Sequence, residues 1–195
     1  ILALLESERG GTLLTLRRFL ADEAFRREFL ASVRDPEVVF FFEHAFPLLA
    51  GRPQGPILTR LDTFLRPKIV RYIVSQRDTG LDFGAIMDEG KIFLGKLAQG
   101  AIGEENAHLL GALLVAKFQQ LTIARQQQAR ELRRPFFCYI DEFHNFITPS
   151  MAAILSGARK YKLGLILAHQ ELRQLHGVPE VQSSVIANPH TRICF

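Results

Sequence analysis

The chain has 195 residues, of which 48% are hydrophobic and 23% charged, and it carries a formal net charge of +4. The apolar fraction is ample for a packed core, and the length provides for one mid-sized domain and a smaller one. No apolar run approaches membrane-spanning length and no signal peptide is visible, while the mildly basic balance permits a nucleic-acid partner without requiring one.

The chain begins at Ile1 without a methionine and ends at Phe195 within an apolar run. We therefore expect it to be part of a longer protein. Its two cysteines, Cys138 and Cys194, both lie in apolar, strand-like runs. This placement predicts small core residues in a reducing compartment and excludes a disulfide framework or a zinc site.

Residues 1–79 are predicted to form an all-α subdomain, because apolar residues recur there at helical spacing. Asp22 and Asp35-Pro36 predict helix starts, and Pro47 predicts a helix end. Residues 51–56 predict a turn, and a further helix interrupted near Pro67 follows. Basic residues of this half could contact DNA, although a solvated face is the default for each: Arg17, Arg18, Arg26, Arg27, Arg60, Arg66 and Lys68.

Residues 80–195 alternate between predicted strands and helices, which indicates a parallel α/β sheet with helices on both faces. The predicted strands are Lys91–Leu97, Phe136–Ile140, Leu163–Ala168 and Thr191–Phe195. The predicted helices run from Glu104 to about Gln128, from Thr148-Pro149 onward, and from Glu171 to Leu175 with a continuation towards Ile186.

Two adjacent carboxylates, Asp141 and Glu142, follow the run Phe136–Ile140, which predicts a strand buried on both faces. Ligands of open α/β sheets bind at the carboxyl ends of the strands. One such acid can support a Mg²⁺ ion while its neighbour polarises an attacking water. The alternative is that the pair only begins a solvated loop or caps the next helix.

Other polar residues near predicted strand ends are weaker candidates. Gln170 follows a strand and could hydrogen-bond a γ-phosphate and the attacking water, or only a helix N-terminus. Arg159 and Lys160 could only complement a helix dipole, or Arg159 could reach the phosphates of a neighbouring subunit. His169 and His144 rank lower for the same site.

Several catalytic patterns are absent from the sequence. No histidine and cysteine cluster has zinc spacing, and no nucleophile-elbow sequence occurs. No G-x-x-x-x-G-K-[ST] phosphate loop occurs either. A nucleotide site at Asp141 and Glu142 therefore requires a phosphate loop upstream of Ile1.

The order and spacing of several segments between Leu81 and Phe195 resemble conjugative coupling ATPases of the TraG/TraD kind, within the FtsK/HerA-like group of RecA-fold DNA translocases. The matching segments are Leu81–Phe83, Ile86–Ile92, Gly103–Ala107, Tyr139–Phe146, Ala158–Leu165, His169–Leu175 and Ile186–Ile193. The helical first half resembles the all-α domain that this family inserts between its phosphate loop and its acidic strand.

The resemblance implies a RecA-like P-loop ATPase that uses ATP and Mg²⁺. In it, Asp141 would support the metal, Glu142 would activate water, Arg159 would serve a neighbouring subunit of a homo-hexameric ring, and Gln170 would sense the γ-phosphate. The implied partners are DNA and secretion-machinery proteins. The implied location is the cytoplasm, at the inner face of the plasma membrane if an anchor lies outside this chain. Without a phosphate loop, these 195 residues alone should not hydrolyse ATP.

Two alternatives remain open at this stage. The chain could be a non-catalytic module in which the helical half binds a protein partner or DNA. It could also belong to a related ATPase that powers protein secretion, which would share every site residue named above.

Overall fold

The computed structural model describes residues 2–49, 54–77, 80–148 and 151–194, except for the side chain of Ala153. The chain divides into two compact units, Ile1–Gly80 and Leu81–Phe195. This division falls beside the boundary that the change of sequence pattern predicts after residue 79.

The first unit is helical, as predicted. Asp22 and Asp35 cap helices, since their carboxylates accept the backbone N–H groups of Phe25 at 3.0 Å and Glu37 at 2.9 Å. The elements are α1 (Leu2–Leu5), α2 (Leu13–Ala21), α3 (Glu23–Leu30), α4 (Pro36–Phe40), a π-helical turn (Phe41–Ala45), a 3₁₀ turn (Phe46–Leu48), α5 (Gln54–Leu65) and α6 (Lys68–Val74).

Two details of the first unit differ from the sequence-based expectations. Pro47 does not end a regular helix, because the helix first widens into the π-helical turn and Pro47 lies within the 3₁₀ turn that follows. The predicted turn at 51–56 is only partly described, since residues 51–53 lie outside the described residues. Pro56 belongs to the first turn of α5, where a missing N–H costs no intrahelical hydrogen bond.

The core of the first unit is built from the predicted phenylalanine stripes. Phe19 and Phe29 are 1% and 2% exposed, and their rings meet edge to face with centroids 5.6 Å apart. Leu30 and Val38 belong to the same cluster, with Ala3 and Leu4. These aromatic residues are therefore structural, as the helical spacing predicts.

The second unit is mixed α/β with a parallel sheet. Its two described strands, β1 (Phe136–Ile140) and β2 (Leu163–Leu167), pair in register from Phe136 opposite Leu163 to Ile140 opposite Leu167. Its helices are α7 (Phe83–Asp88), α8 (Gln99–Ile102), α9 (Glu104–Ala124), α10 (Met151–Gly157) and α11 (Pro179–Ala187), with 3₁₀ turns at Arg125–Gln127, Phe143–Phe146, Ala158–Tyr161 and Leu172–Leu175.

Two predicted strands are wrong. Residues 91–97 have no regular secondary structure, and Ile92 and Leu94 are 88% and 89% exposed. Residues 191–194 are likewise irregular, and Phe195 lies outside the described residues. A strand needs a hydrogen-bonding partner, and within the described part of the chain neither segment has one. Of the helix predicted from Thr148-Pro149, Met151–Gly157 is helical, and residues 149–150 lie outside the described residues.

The prediction that β1 is buried on both faces is also wrong. Burial alternates along the strand, with Phe137 and Tyr139 60% and 74% exposed. The opposite face is covered, because Phe136 stacks on Phe118 of α9 with ring centroids 5.4 Å apart. In the described residues the sheet therefore has one covered face and one exposed aromatic face.

Helix α9 is the longest element, and it lies against the covered face of the sheet. Gly111 lies so close to the ring of Phe146 that a Cβ at this position would overlap the ring. Within Glu104–Gln127, an 18-residue window has a mean hydropathy of 1.2, so by length and composition the segment could cross a membrane, and 28% of that window is buried. The expectation that no apolar run approaches spanning length is therefore wrong on those two criteria.

A buried arginine joins three parts of the second unit. Arg125 is 3% exposed and pairs with Asp88 at the end of α7, with Nη2 2.8 Å from Oδ1. Its Nη1 donates to the carbonyls of Arg134 at 3.0 Å and Tyr161 at 3.4 Å. The guanidinium therefore ties the ends of α7 and α9 to the chain segments before β1 and β2.

Replacing Arg125 by methionine is expected to lower the free energy of unfolding by about 2 to 3 kcal/mol. The change removes the Arg125 donor from two carbonyls and from Asp88 Oδ1, while Gln128 still donates to Asp88 Oδ2. Partial exposure of Asp88 also keeps the loss below that of a fully buried pair. Urea unfolding would measure it. Arg130→Met, at an exposed position on the same segment, is the control and should stay within about 0.5 kcal/mol of the unsubstituted chain. Equal unfolding midpoints for the two variants would contradict this role.

The two cysteines differ in environment. Cys138 on β1 is partly buried, and burial raises the pKa of its thiol, whereas Cys194 is exposed. The expectation that both are core residues is thus wrong for Cys194, because the strand predicted around it is not formed.

We expect iodoacetamide at pH 8 to modify Cys194 in the folded protein and to spare Cys138. A raised pKa keeps the Cys138 thiol protonated to higher pH, and the thiolate is the reactive form. Peptide mass mapping over time would give both rates, and both sites should react alike in urea. Equal rates in the folded protein would refute the assignment.

Candidate functional site

The candidate site lies at the carboxyl edge of the sheet. Asp141 and Glu142 directly follow β1, and Gln170 lies three residues after β2. Two backbone hydrogen bonds beyond the strands hold the edges together, from Ala168 N–H to the Ile140 carbonyl and from Phe143 N–H to the Ala168 carbonyl, both 3.0 Å. The two strand ends are therefore fixed side by side.

Glu142 has a left-handed backbone conformation, with φ 47° and ψ 44°. This conformation costs a non-glycine residue about 1 to 3 kcal/mol, and such strain clusters at functional sites. Two 3.0 Å hydrogen bonds support it, from Glu142 N–H to Asp141 Oδ1 and from Asn145 N–H to the Glu142 carbonyl. The end of β1 therefore places Glu142, directly after Asp141, in a strained conformation that these hydrogen bonds stabilise.

The structure brings Glu142 and Gln170 into direct contact. Gln170 Nε2 donates to Glu142 Oε1 at 2.9 Å. The Glu142 side chain is 40% exposed, so it can meet solvent while one oxygen is held. A carboxylate in this setting can accept a proton from a water molecule, and an adjacent carboxamide can bind the group that the water attacks.

Asp141 is exposed at the same edge and suits a magnesium ion bound jointly with a substrate. Its Oδ1 accepts the Glu142 N–H at 3.0 Å. No group of three or more His, Cys, Asp or Glu residues in the described ranges could enclose a metal. Mg²⁺ is commonly bound by one or two carboxylates, substrate phosphates and water, so Asp141 fits that mode.

Gln174 is a residue of this site that the sequence-based analysis missed. It lies on the 3₁₀ turn after Gln170, and its Oε1 accepts the backbone N–H groups of Gln170 and Glu171, each at 3.1 Å. The spacing of Glu171 and Gln174 is that of a reciprocal cap, a pattern that could have identified this residue. The cap fixes the backbone from which the Gln170 side chain extends.

The two histidines near this edge have different surroundings. The ring of His169 packs edge to face on the fully buried Phe143, with centroids 5.3 Å apart. His144 is 18% exposed, and its Nδ1 lies 3.4 Å from Glu142 Oε2. His144 is therefore the histidine that lies beside the acidic pair.

Arg159 lies away from this edge. It belongs to the 3₁₀ turn that precedes β2, so the length of the strand, about 13 Å, separates its backbone from the site. Its Nη1 lies 3.0 Å from His190 Nε2, and the side chain is exposed. The structure thus does not bring Arg159 to Glu142 and Gln170 within one chain.

Several basic residues proposed above for DNA contact are engaged within the first unit. Asp62, Asp22 and Glu23 form ion pairs with Arg17, Arg18 and Arg27, and Arg26 donates to the carbonyl of Phe19. Exposed pairs of this kind contribute little to stability. The contacts of these four arginines are those of an ordinary solvated helix surface, which is the default interpretation given above.

Comparisons of the chain with protein-family models, with curated proteins and with solved structures found no match.

Proposed function

We propose that the chain is the helical and C-terminal part of a P-loop ATPase of the conjugative coupling kind, with its phosphate loop on a preceding segment of the complete protein. The observation that carries the proposal is the contact of Glu142 with Gln170 at the carboxyl edge of a parallel sheet, with Asp141 beside it. A base, a γ-phosphate ligand and a metal ligand are the parts that ATP hydrolysis needs from these strands.

In this mechanism Glu142 accepts the proton of the attacking water through its carboxylate. Gln170 binds the γ-phosphate, and its 2.9 Å contact with Glu142 couples the occupancy of the phosphate site to the orientation of the base. Asp141 would hold Mg²⁺, which would neutralise charge on the phosphate oxygens. Arg159 completes the site of a neighbouring subunit in a ring.

The DNA substrate rests on the family resemblance and agrees with the net charge of +4. The test is ATP hydrolysis by the complete protein with and without double-stranded DNA. Turnover that rises with DNA supports a DNA motor. Turnover that does not change with DNA favours a related ATPase that powers protein secretion. Absence of turnover in the folded protein contradicts both the DNA motor and the secretion ATPase.

A non-catalytic interaction module is the second candidate, and the exposed aromatic face of β1 favours it. Phe137 and Tyr139 present a surface that suits a protein partner. The coding sequence upstream of Ile1 distinguishes the candidates. A strand followed by a Gly-rich loop that ends in Lys and Ser or Thr favours the ATPase, and its absence favours the module.

A further inference from the structure

Two side chains beside Glu142 form a polar pair to which the proposed hydrolysis mechanism assigns no role. His144 lies on the turn after β1, and Gln174 lies on the turn after β2. Gln174 Nε2 and His144 Nε2 are 3.4 Å apart, and the contact is partly buried. The pair therefore connects the two chain segments that carry Glu142 and Gln170.

The orientation of the Gln174 carboxamide follows from its backbone partners. Its Oε1 is 3.1 Å from the N–H groups of both Gln170 and Glu171. Both of these groups are donors, so the atom that faces them has to be the oxygen. The other terminal atom, which faces His144, is therefore the amide nitrogen, and it can only donate.

The orientation of this amide determines the tautomer of His144. A nitrogen that receives a hydrogen bond carries no proton, so Nε2 of His144 is the acceptor and Nδ1 carries the proton of the neutral ring. Nδ1 is buried and makes no hydrogen bond among the described residues, but Glu142 Oε2 lies 3.4 Å away. A closer approach of a few tenths of an ångström would bring this N–H to hydrogen-bond distance of the carboxylate.

We propose that His144, held by Gln174 in the Nδ1–H tautomer, is a positioning residue for Glu142. In this arrangement Gln170 holds Oε1 of the carboxylate, and His144 donates to Oε2 after the closer approach of Nδ1. When Gln170 turns to the γ-phosphate, His144 keeps the carboxylate oriented towards the attacking water. This role rests on the proposed ATPase function.

The tautomer can be tested without measuring activity. Nitrogen NMR of the complete protein with ¹⁵N-labelled histidine rings, with His144 assigned by its loss in His144→Asn, should show a protonated Nδ1 and a bare Nε2. Gln174→Glu keeps an acceptor for the two backbone N–H groups but places a second acceptor against Nε2, so it should move a proton onto Nε2. A protonated Nε2 in the unsubstituted protein, or an unchanged ring in Gln174→Glu, would overturn the proposal.

The positioning role has a separate kinetic test. Asparagine can place an amide N–H near the position of Nδ1, whereas leucine fills the space without a donor. We expect His144→Leu to lower kcat by about 10- to 100-fold, which corresponds to one hydrogen bond to a charged group, with KM for ATP unchanged. His144→Asn should recover most of that loss, and unfolding midpoints would verify that both variants fold.

The outcomes of the two tests separate the two proposals. Equal rates in His144→Leu, His144→Asn and the unsubstituted protein would overturn the positioning role and leave the ATPase function intact. Equal losses in both variants would also overturn the positioning role, because the donor that asparagine restores would then make no difference. No turnover in the unsubstituted protein would overturn the ATPase function, and the role of His144 with it.

Discussion

Replacement of Glu142 by glutamine is expected to lower ATP turnover of the complete protein by about 10³-fold or more and to preserve ATP binding. The new amide can still accept the hydrogen bond from Gln170 through its oxygen. It cannot accept a proton from the attacking water. The loss should therefore lie in kcat, because the chemical step loses its base while the phosphate contacts remain.

Single-turnover hydrolysis and the binding of a fluorescent ATP analogue would separate these two effects. Glu131→Gln is a matched control, because Glu131 is an exposed glutamate of the same unit that lies on the turn before β1. Turnover of the control should remain near that of the unsubstituted protein. Unchanged turnover in Glu142→Gln would remove Glu142 from the catalytic role.

Replacement of Arg159 by alanine is expected to lower turnover by about 10³-fold through a different route. The structure separates Arg159 from Glu142 by the length of a strand, so a catalytic Arg159 has to act on a neighbouring subunit. Mixed rings of Arg159→Ala and Glu142→Gln subunits should regain activity. Some interfaces then combine an intact Glu142 with an intact arginine from the neighbour.

Lys160→Ala is the control for this prediction, because Lys160 is an exposed cation at the adjacent position. It should leave turnover and ring assembly unchanged. Mixed rings that stay inactive despite normal assembly would show that Arg159 does not act across a subunit interface. The contact of Arg159 with His190 within one chain would then be the interaction that accounts for this arginine.

Features encoded in contiguous residues could be predicted from the sequence. The caps at Asp22 and Asp35 depend only on the residues that follow them, and both form as expected. The run Phe136–Ile140 likewise forms a strand with the predicted bounds. The proximity of Glu142 and Gln170 could also be predicted from the sequence, because parallel strands place their carboxyl ends at one edge of a sheet.

Features that depend on distant residues could not be predicted in this way. The segment 91–97 has strand-like composition, but a strand exists only where a partner supplies hydrogen bonds, and local sequence does not encode that partner. Arg125 is buried although arginine is usually exposed, because Asp88 and two carbonyls converge on it from other segments. The contact of Gln174 with His144 similarly depends on side-chain directions that only the fold determines.

The most direct test of the proposed site is an experimental structure of the complete protein with Mg²⁺ and a non-hydrolysable ATP analogue. The proposal predicts the γ-phosphate within hydrogen-bond reach of Gln170, the metal beside Asp141, and Arg159 of an adjacent subunit facing the same phosphate. A nucleotide bound away from the carboxyl edge of β1 and β2 would contradict it, whatever activity the protein shows.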